Sequence, residues 1–202
     1  MLNQDVATAV SPVVIEFRRL GVAFYLGGSL ASSAYGHGRA TQDADLVADI
    51  RAEHVGSLVA ALTGPYYISE PMIRSAIERR ACFNLIHLAT MFKVDVFVTK
   101  NRPFDQSVME RAVTTTLPLP EPLELPIASA EDIVLAKLEW YRKGDEISER
   151  QWLDILGILK VRADQLDLDY LWHWSREINV DDLLLRVLAD AGLPPPDQSV
   201  PF

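Results

Sequence analysis

Tyr25-Leu26-Gly27-Gly28-Ser29 and, further on, Arg39-Ala40-Thr41-Gln42-Asp43-Ala44-Asp45-Leu46 decide how this chain is read. Val22 to Leu26 is a short apolar run of β-forming residues. Gly27, Gly28 and Ser29 come next, and a backbone without Cβ atoms turns sharply and lets a ligand approach closely. Leu30 to Tyr35 is made of small, helix-tolerant residues, so the unpaired N–H groups of a helix start would point toward Ser29 and attract a phosphate-sized anion. The Ser29 hydroxyl adds a donor. Asp43 and Asp45 alternate along a β-like segment, which puts both carboxylates on one face. Two like charges there call for a cation. Mg2+ suits them, because it takes one or two carboxylates together with phosphate oxygens and keeps its remaining waters.

A third carboxylate completes the set. Lys93-Val94-Asp95-Val96-Phe97-Val98 is an apolar strand with one acid in its middle, and an acid among β-branched neighbours is costly unless something pairs it. A second metal ion would pair Asp95. The direction of Lys93 is left open at this stage.

Apolar-Gly-Ser, thirteen residues (30 to 42), Asp-x-Asp and a later apolar-Asp-apolar strand together resemble the DNA polymerase β-like nucleotidyltransferase superfamily. Arg39-x-Thr41-x-Asp43-x-Asp45 looks like its abortive-infection (AbiEii) branch and the bacterial relatives of that branch. Phe83 to His87 before Lys93-Val94-Asp95, and Lys137 with Arg150 and Asp154, are similar to that branch too. The resemblance covers roughly residues 15 to 160. Ala44 departs from it mildly, standing where the family usually carries a larger apolar residue.

The resemblance implies a metal-dependent transfer of a nucleoside monophosphate from an NTP, with release of pyrophosphate. Asp43, Asp45 and Asp95 would be the catalytic, metal-holding acids, with two Mg2+ ions. Gly27, Gly28, Ser29, Arg39, Thr41 and Lys137 would bind the nucleotide. Arg39 and Thr41 read equally well as residues that order the turn through hydrogen bonds. Toxin relatives suggest a protein hydroxyl or a tRNA end as acceptor. The other class is a non-catalytic one, a nucleotide-responsive binding protein or antitoxin component that works with a partner protein.

Composition narrows the partners. At 202 residues with 49% apolar and 23% charged content, the chain is that of an ordinary globular protein. No run of about 18 apolar residues occurs, so no membrane span is expected. No basic region with an apolar core opens the chain, and Cys82 is the only cysteine, so a reducing cytoplasm fits. The net charge of −9 is uneven: residues 1–100 hold nine basic and nine acidic side chains, residues 101–202 ten and nineteen. That acidic half disfavours extended nucleic-acid binding and leans toward a protein or a cationic small molecule as acceptor.

The expected fold is α/β, a small mixed sheet flanked by helices over 1–112, a proline-rich connector over 113–128, a helical C-terminal domain over 129–193 and a tail over 194–202. Apolar spacing predicts a helix over 5–20, with Pro12 as a kink or true start. Helices are also expected over 53–62 and from Pro71, with a short strand near 66–68 between them. Ala81–His87 and Phe92–Val98 read as a hairpin that brings Asp95 beside the Asp43 strand. Pro126 argues that the connector gives at most an edge strand. Ser129-x-x-Asp132 and Ser148-x-x-Gln151 read as capping boxes that open two helices, followed by two shorter ones near 168–176 and 181–191.

Several residues have plain readings. Arg150 and Asp154 stand four apart, a spacing that predicts a surface ion pair. His37, His54, His87 and His173 lack metal-ligand spacing. Cys82 reads as an inert core thiol, and Trp140, Trp152, Trp172 and Trp174 as core packing.

Overall fold

Alternation of apolar residues along three strands builds the sheet that carries the acids. The structure, a computed structural model, describes residues 4–36, 41–117 and 122–195. The chain divides into two units, Met1–Leu30 with Arg39–Ile127, and Ala31–Gly38 with Ala128–Phe202. Arg39 and His37 lie outside the described residues.

The first unit is a mixed seven-stranded sheet with helices. Its strands are β1 (Phe24–Gly27), β2 (Asp43–Ala48), β3 (Tyr66–Tyr67), β4 (Cys82–His87), β5 (Lys93–Val98), β6 (Val113–Leu117) and β7 (Leu123–Ile127), in the order β3-β4-β5-β2-β1-β7-β6. β2 and β5 are parallel, as are β1 and β7, and the other neighbours are antiparallel. Ala44, Leu46 and Ala48 on β2, Val94, Val96 and Val98 on β5, and Phe83, Leu85 and His87 on β4 are all buried. The residues between them are half-buried or more open. Side chains alternate across a strand, so one face is core and the opposite face carries the polar residues.

Helix α1 (Gln4–Arg19) packs Val13, Val14 and Phe17 into that core, where Phe17 meets Phe24 with ring centroids 5.5 Å apart. α1 runs on through Pro12. A proline inside a helix removes a donor and disturbs the carbonyls one turn back. The buried Tyr66 hydroxyl donates to one of these, the Ala9 carbonyl, at 2.7 Å. Helices α3 (Val55–Leu62) and α4 (Glu70–Arg79) follow the expected positions, α4 with a proline in its first turn. Helix α5 (Pro103–Arg111) escapes the sequence reading, although Pro103 opens it and the Asp105 carboxylate accepts from the Arg102 backbone at 3.0 Å.

The proline-rich stretch differs from expectation. It forms β6 and β7, which extend the sheet, and β7 lies between β1 and β6 instead of at the edge. The pairing of β7 with β1 rests on Leu26↔Ile127 alone, whereas β6 pairs along all of β7. Pro126 therefore forgoes a donor where one side of the strand has little ladder to fill.

In the second unit, α6 (Ala130–Lys143), α7 (Glu149–Arg162), α8 (Leu168–Glu177) and α9 (Asp181–Ala191) bury Val134, Leu138, Ile158, Leu159, Leu184 and Val187 against one another. Helix α2 (Gly28–Tyr35) starts in the first unit and ends in the second. Ser129 and Ser148 cap α6 and α7, accepting from the backbone N–H of Asp132 and Gln151. Only Trp172 among the four tryptophans is buried. Trp140 is 49% exposed, because α6 turns it outward, where the Lys143 ammonium stands 5.1 Å from its ring. No helix among the described residues is long and apolar enough to cross a membrane.

Candidate active site

Strand register gathers the predicted acids. Asp43 faces Lys93, and Asp45 faces Asp95, across the parallel pair β2 and β5. On its other side Asp45 faces Gly27 of β1, and Asp95 faces Asn84 of β4. Gly27, Asp45, Asp95 and Asn84 thus form one row across four strands, on the face opposite the core. The i, i+2 spacing brings Asp43 and Lys93 to the same face.

Gly28 closes this row at the first residue of α2. Its φ is +58°, and an added Cβ would stand 1.7 Å from Asp45 Oδ2 and 2.5 Å from Asp45 Cγ. The Asp45 carboxylate therefore occupies space that only glycine leaves open. Ser29 is the next residue of α2, at the helix start whose backbone donors favour anions. Thr41 stands before β2, and its hydroxyl donates to Asp43 Oδ1 at 2.6 Å and makes a longer contact of 3.3 Å with the Asp43 carbonyl. Thr41 is thus set on Asp43 at the strand's start, the turn-ordering arrangement of a short hydroxyl side chain.

The sequence left Lys93 undirected, and the structure directs it to Asp95, with Nζ 2.7 Å from Oδ2. That hydrogen bond, and after it the charges of Asp95, Asp43 and Asp45, raise the Lys93 ammonium above its ordinary value against the opposing effect of partial burial. Lys93 stays charged at neutral pH. The signal for this was the i, i+2 spacing of Lys93 and Asp95 on one strand, which guarantees a shared face.

Cys82 begins β4 and is exposed, not part of the core. Protein atoms nonetheless crowd its thiol, and this burial, followed by the Asp95 and Asp45 charges, pushes its pKa up to about 12. The thiol is inert at neutral pH for that reason. Alkylation of Cys82 by iodoacetamide at pH 8 is expected to run at least about tenfold slower than that of an unperturbed thiol. Asp95→Asn should speed it, since one of the charges that disfavour the thiolate is gone. Mass spectrometry of timed aliquots reads both rates.

The carboxylates are hard oxygen donors of the kind Mg2+ takes, and Asp43 with Asp45 supplies the two that it needs alongside phosphate and water. Among the described residues no group of three or more His, Cys, Asp or Glu side chains is gathered as a metal cage. In the second unit Lys137 on α6 is buried and pairs with Asp154 of α7, Nζ to Oδ2 at 2.9 Å.

No family model matches the chain, and no curated protein matches it. Among solved structures it is similar to an antigenic nucleotidyltransferase-like protein from Paracoccidioides brasiliensis, at 18% identity and a TM-score of 0.58, over 94% of this chain and 93% of that one. It is also similar to the antibiotic-resistance factor ANT(2'')-Ia, at 13% identity and a TM-score of 0.50, over 94% of this chain and 95% of that one. The likeness is one of fold: a mixed sheet flanked by helices and followed by a helical region.

Proposed function

We propose that this protein is a Mg2+-dependent nucleotidyltransferase that moves a nucleoside monophosphate from an NTP to a hydroxyl acceptor. The observation that carries the reading is the row Gly27, Asp45 and Asp95, with Gly28 packed beneath the Asp45 carboxylate. A helix start that favours anions and three acids then share one sheet face.

In this reading Gly27, Gly28 and Ser29 receive the β- and γ-phosphates through backbone N–H groups and the Ser29 hydroxyl. Asp43, oriented by Thr41, and Asp45 would hold Mg2+, whose charge would offset that of the phosphates. The acceptor oxygen bonds to the α-phosphorus as the bond from that phosphorus to the bridging oxygen breaks. Pyrophosphate leaves with the electron pair, and Asp95 takes the acceptor's proton. Such a site acts through positioning and electrostatics and needs no covalent intermediate. Arg39 completes the Arg39-x-Thr41-x-Asp43-x-Asp45 motif, which favours the abortive-infection branch and a toxin–antitoxin setting.

The excess of acid in residues 101–202 favours a protein hydroxyl or a cationic small molecule over tRNA as the acceptor. A second reading, a binding protein that responds to nucleotide without turnover, draws support from Asp95, whose Oδ2 is already held by Lys93.

Calorimetric titration with ATP, GTP, CTP and UTP in Mg2+ tests the proposal. Wild-type protein should bind one of the four in a Mg2+-dependent way, and Asp43→Ala/Asp45→Ala should lose that binding while staying folded by circular dichroism. Transfer of an α-labelled NMP to any acceptor then separates catalysis from binding alone. Equal binding by the double variant would remove the metal assignment.

A further inference from the structure

Lys93 lies on the acid face for a reason that the three-acid pattern does not supply. Its ammonium is 2.7 Å from Asp95 Oδ2, and in the strand register it faces Asp43. The Lys93 side chain is 41% exposed and that of Asp95 is 14% exposed, so the pair sits at the surface of the sheet face with the carboxylate as its inner member. Asp95 is the residue a second divalent ion would need, because in the proposed reading Asp43 and Asp45 would hold the first. Resting on the nucleotidyltransferase reading, we propose that Lys93 stands in for the second metal ion, so that this site takes one divalent cation per chain.

Charge and geometry agree. Three carboxylates are balanced by one divalent ion and one ammonium. A second divalent ion on Asp95 would meet the Lys93 ammonium at close range, where like charges repel. Lysine carries a compact charge with freely turning donors, so it can keep Asp95 oriented without demanding the coordination shell of a metal. Lys93 is a positioning residue in this scheme, acting on the acceptor step through Asp95.

The test counts bound manganese(II) by electron paramagnetic resonance on the intact protein. It uses the non-hydrolysable α,β-methylene analogue of whichever NTP the calorimetric titration selects. Wild type should bind one Mn2+ per chain, Lys93→Met two, and Lys93→Arg one, since arginine restores the cation. Lys93→Gln repeats the count if the methionine variant fails to fold. Two ions on wild type would overturn the inference and leave the nucleotidyltransferase reading standing. One ion on both Lys93→Met and Lys93→Gln would overturn it too, because the lysine would not be what excludes the second ion. No ion on wild type with that analogue would remove the nucleotidyltransferase reading and this inference with it.

Discussion

Gly28→Ala is expected to weaken Mg2+-dependent nucleotide binding at least a hundredfold, whereas Gly27→Ala keeps the fold and loses far less. The two glycines are neighbours in sequence, and their surroundings differ. A Cβ at Gly28 would fall 1.7 Å from Asp45 Oδ2, 2.5 Å from Cγ and 2.8 Å from Cβ, with φ at +58°. Asp45 must leave, or the first turn of α2 must move, and either change separates the helix start from its acid. The left-handed backbone adds about 1–2 kcal/mol for a residue that carries a Cβ. For a chain of this size each kcal/mol lowers Tm by about 2–4 °C. A Cβ at Gly27 would instead meet Tyr25 Cε2 at 3.8 Å and the Asp45 carbonyl at 3.9 Å, which is ordinary contact. Calorimetry with the selected NTP and a thermal melt of each variant decide the matter. Binding by Gly28→Ala within a few-fold of wild type would mean that the contact of Asp45 with Gly28 is not needed for nucleotide.

That distinction between two adjacent glycines marks how far the sequence could be read. It placed a turn at Gly27 and Gly28, because an apolar run ended there, whereas Gly27 ends β1 and the turn begins at Gly28. It could not rank them, since the difference lies in the φ angle and in what crosses over from β2. The acid row was legible for a related reason. Period-2 alternation put Asp43 and Asp45 on one face, and the hairpin of β4 and β5 offered Asp95 to the same sheet. The alignment of Asp45 with Asp95 required the parallel register of β2 and β5, which no local pattern encodes.

Other differences arise from long-range pairing overriding local signals. Pro126 argued against an inner strand, and the brief contact of β7 with β1 makes its missing donor tolerable. Pro12 suggested a break, and α1 continues through it with the Tyr66 hydroxyl on the Ala9 carbonyl, a partner 57 residues away. Cys82 and Trp140 look apolar by type and are exposed, Cys82 because it falls on the face of β4 opposite the buried Phe83, Leu85 and His87, and Trp140 because α6 turns it outward. Lys93 was missed for a simpler reason. Its shared face with Asp95 was implied by strand geometry, yet the pattern of three acids drew the reading toward metal and away from the cation already in the chain.

Asp154→Leu is expected to cost about 3–5 kcal/mol of stability, because it leaves the buried Lys137 ammonium without the carboxylate it pairs with, and Lys137→Met is expected to cost less, since Asp154 is only half-buried. Side-chain exposures of 10% for Lys137 and 12% for Asp154 leave little water to compensate. Spacing alone had matched Asp154 with Arg150, which is exposed, and the resemblance had assigned Lys137 to the nucleotide. The Lys137 stem instead packs on the buried side of α6 beside Val134 and Leu138, and its ammonium reaches across to α7. The double variant Lys137→Met/Asp154→Leu removes both charges and fills the space with apolar atoms, so urea unfolding should find it within about 1–2 kcal/mol of wild type. That restored variant separates two roles that single substitutions confound. The resemblance implies that the same ammonium meets phosphate. If it does, the double variant is folded and binds the selected NTP weakly. Unchanged affinity in a chain of restored stability would leave Lys137 with the ion pair to Asp154 as its whole task.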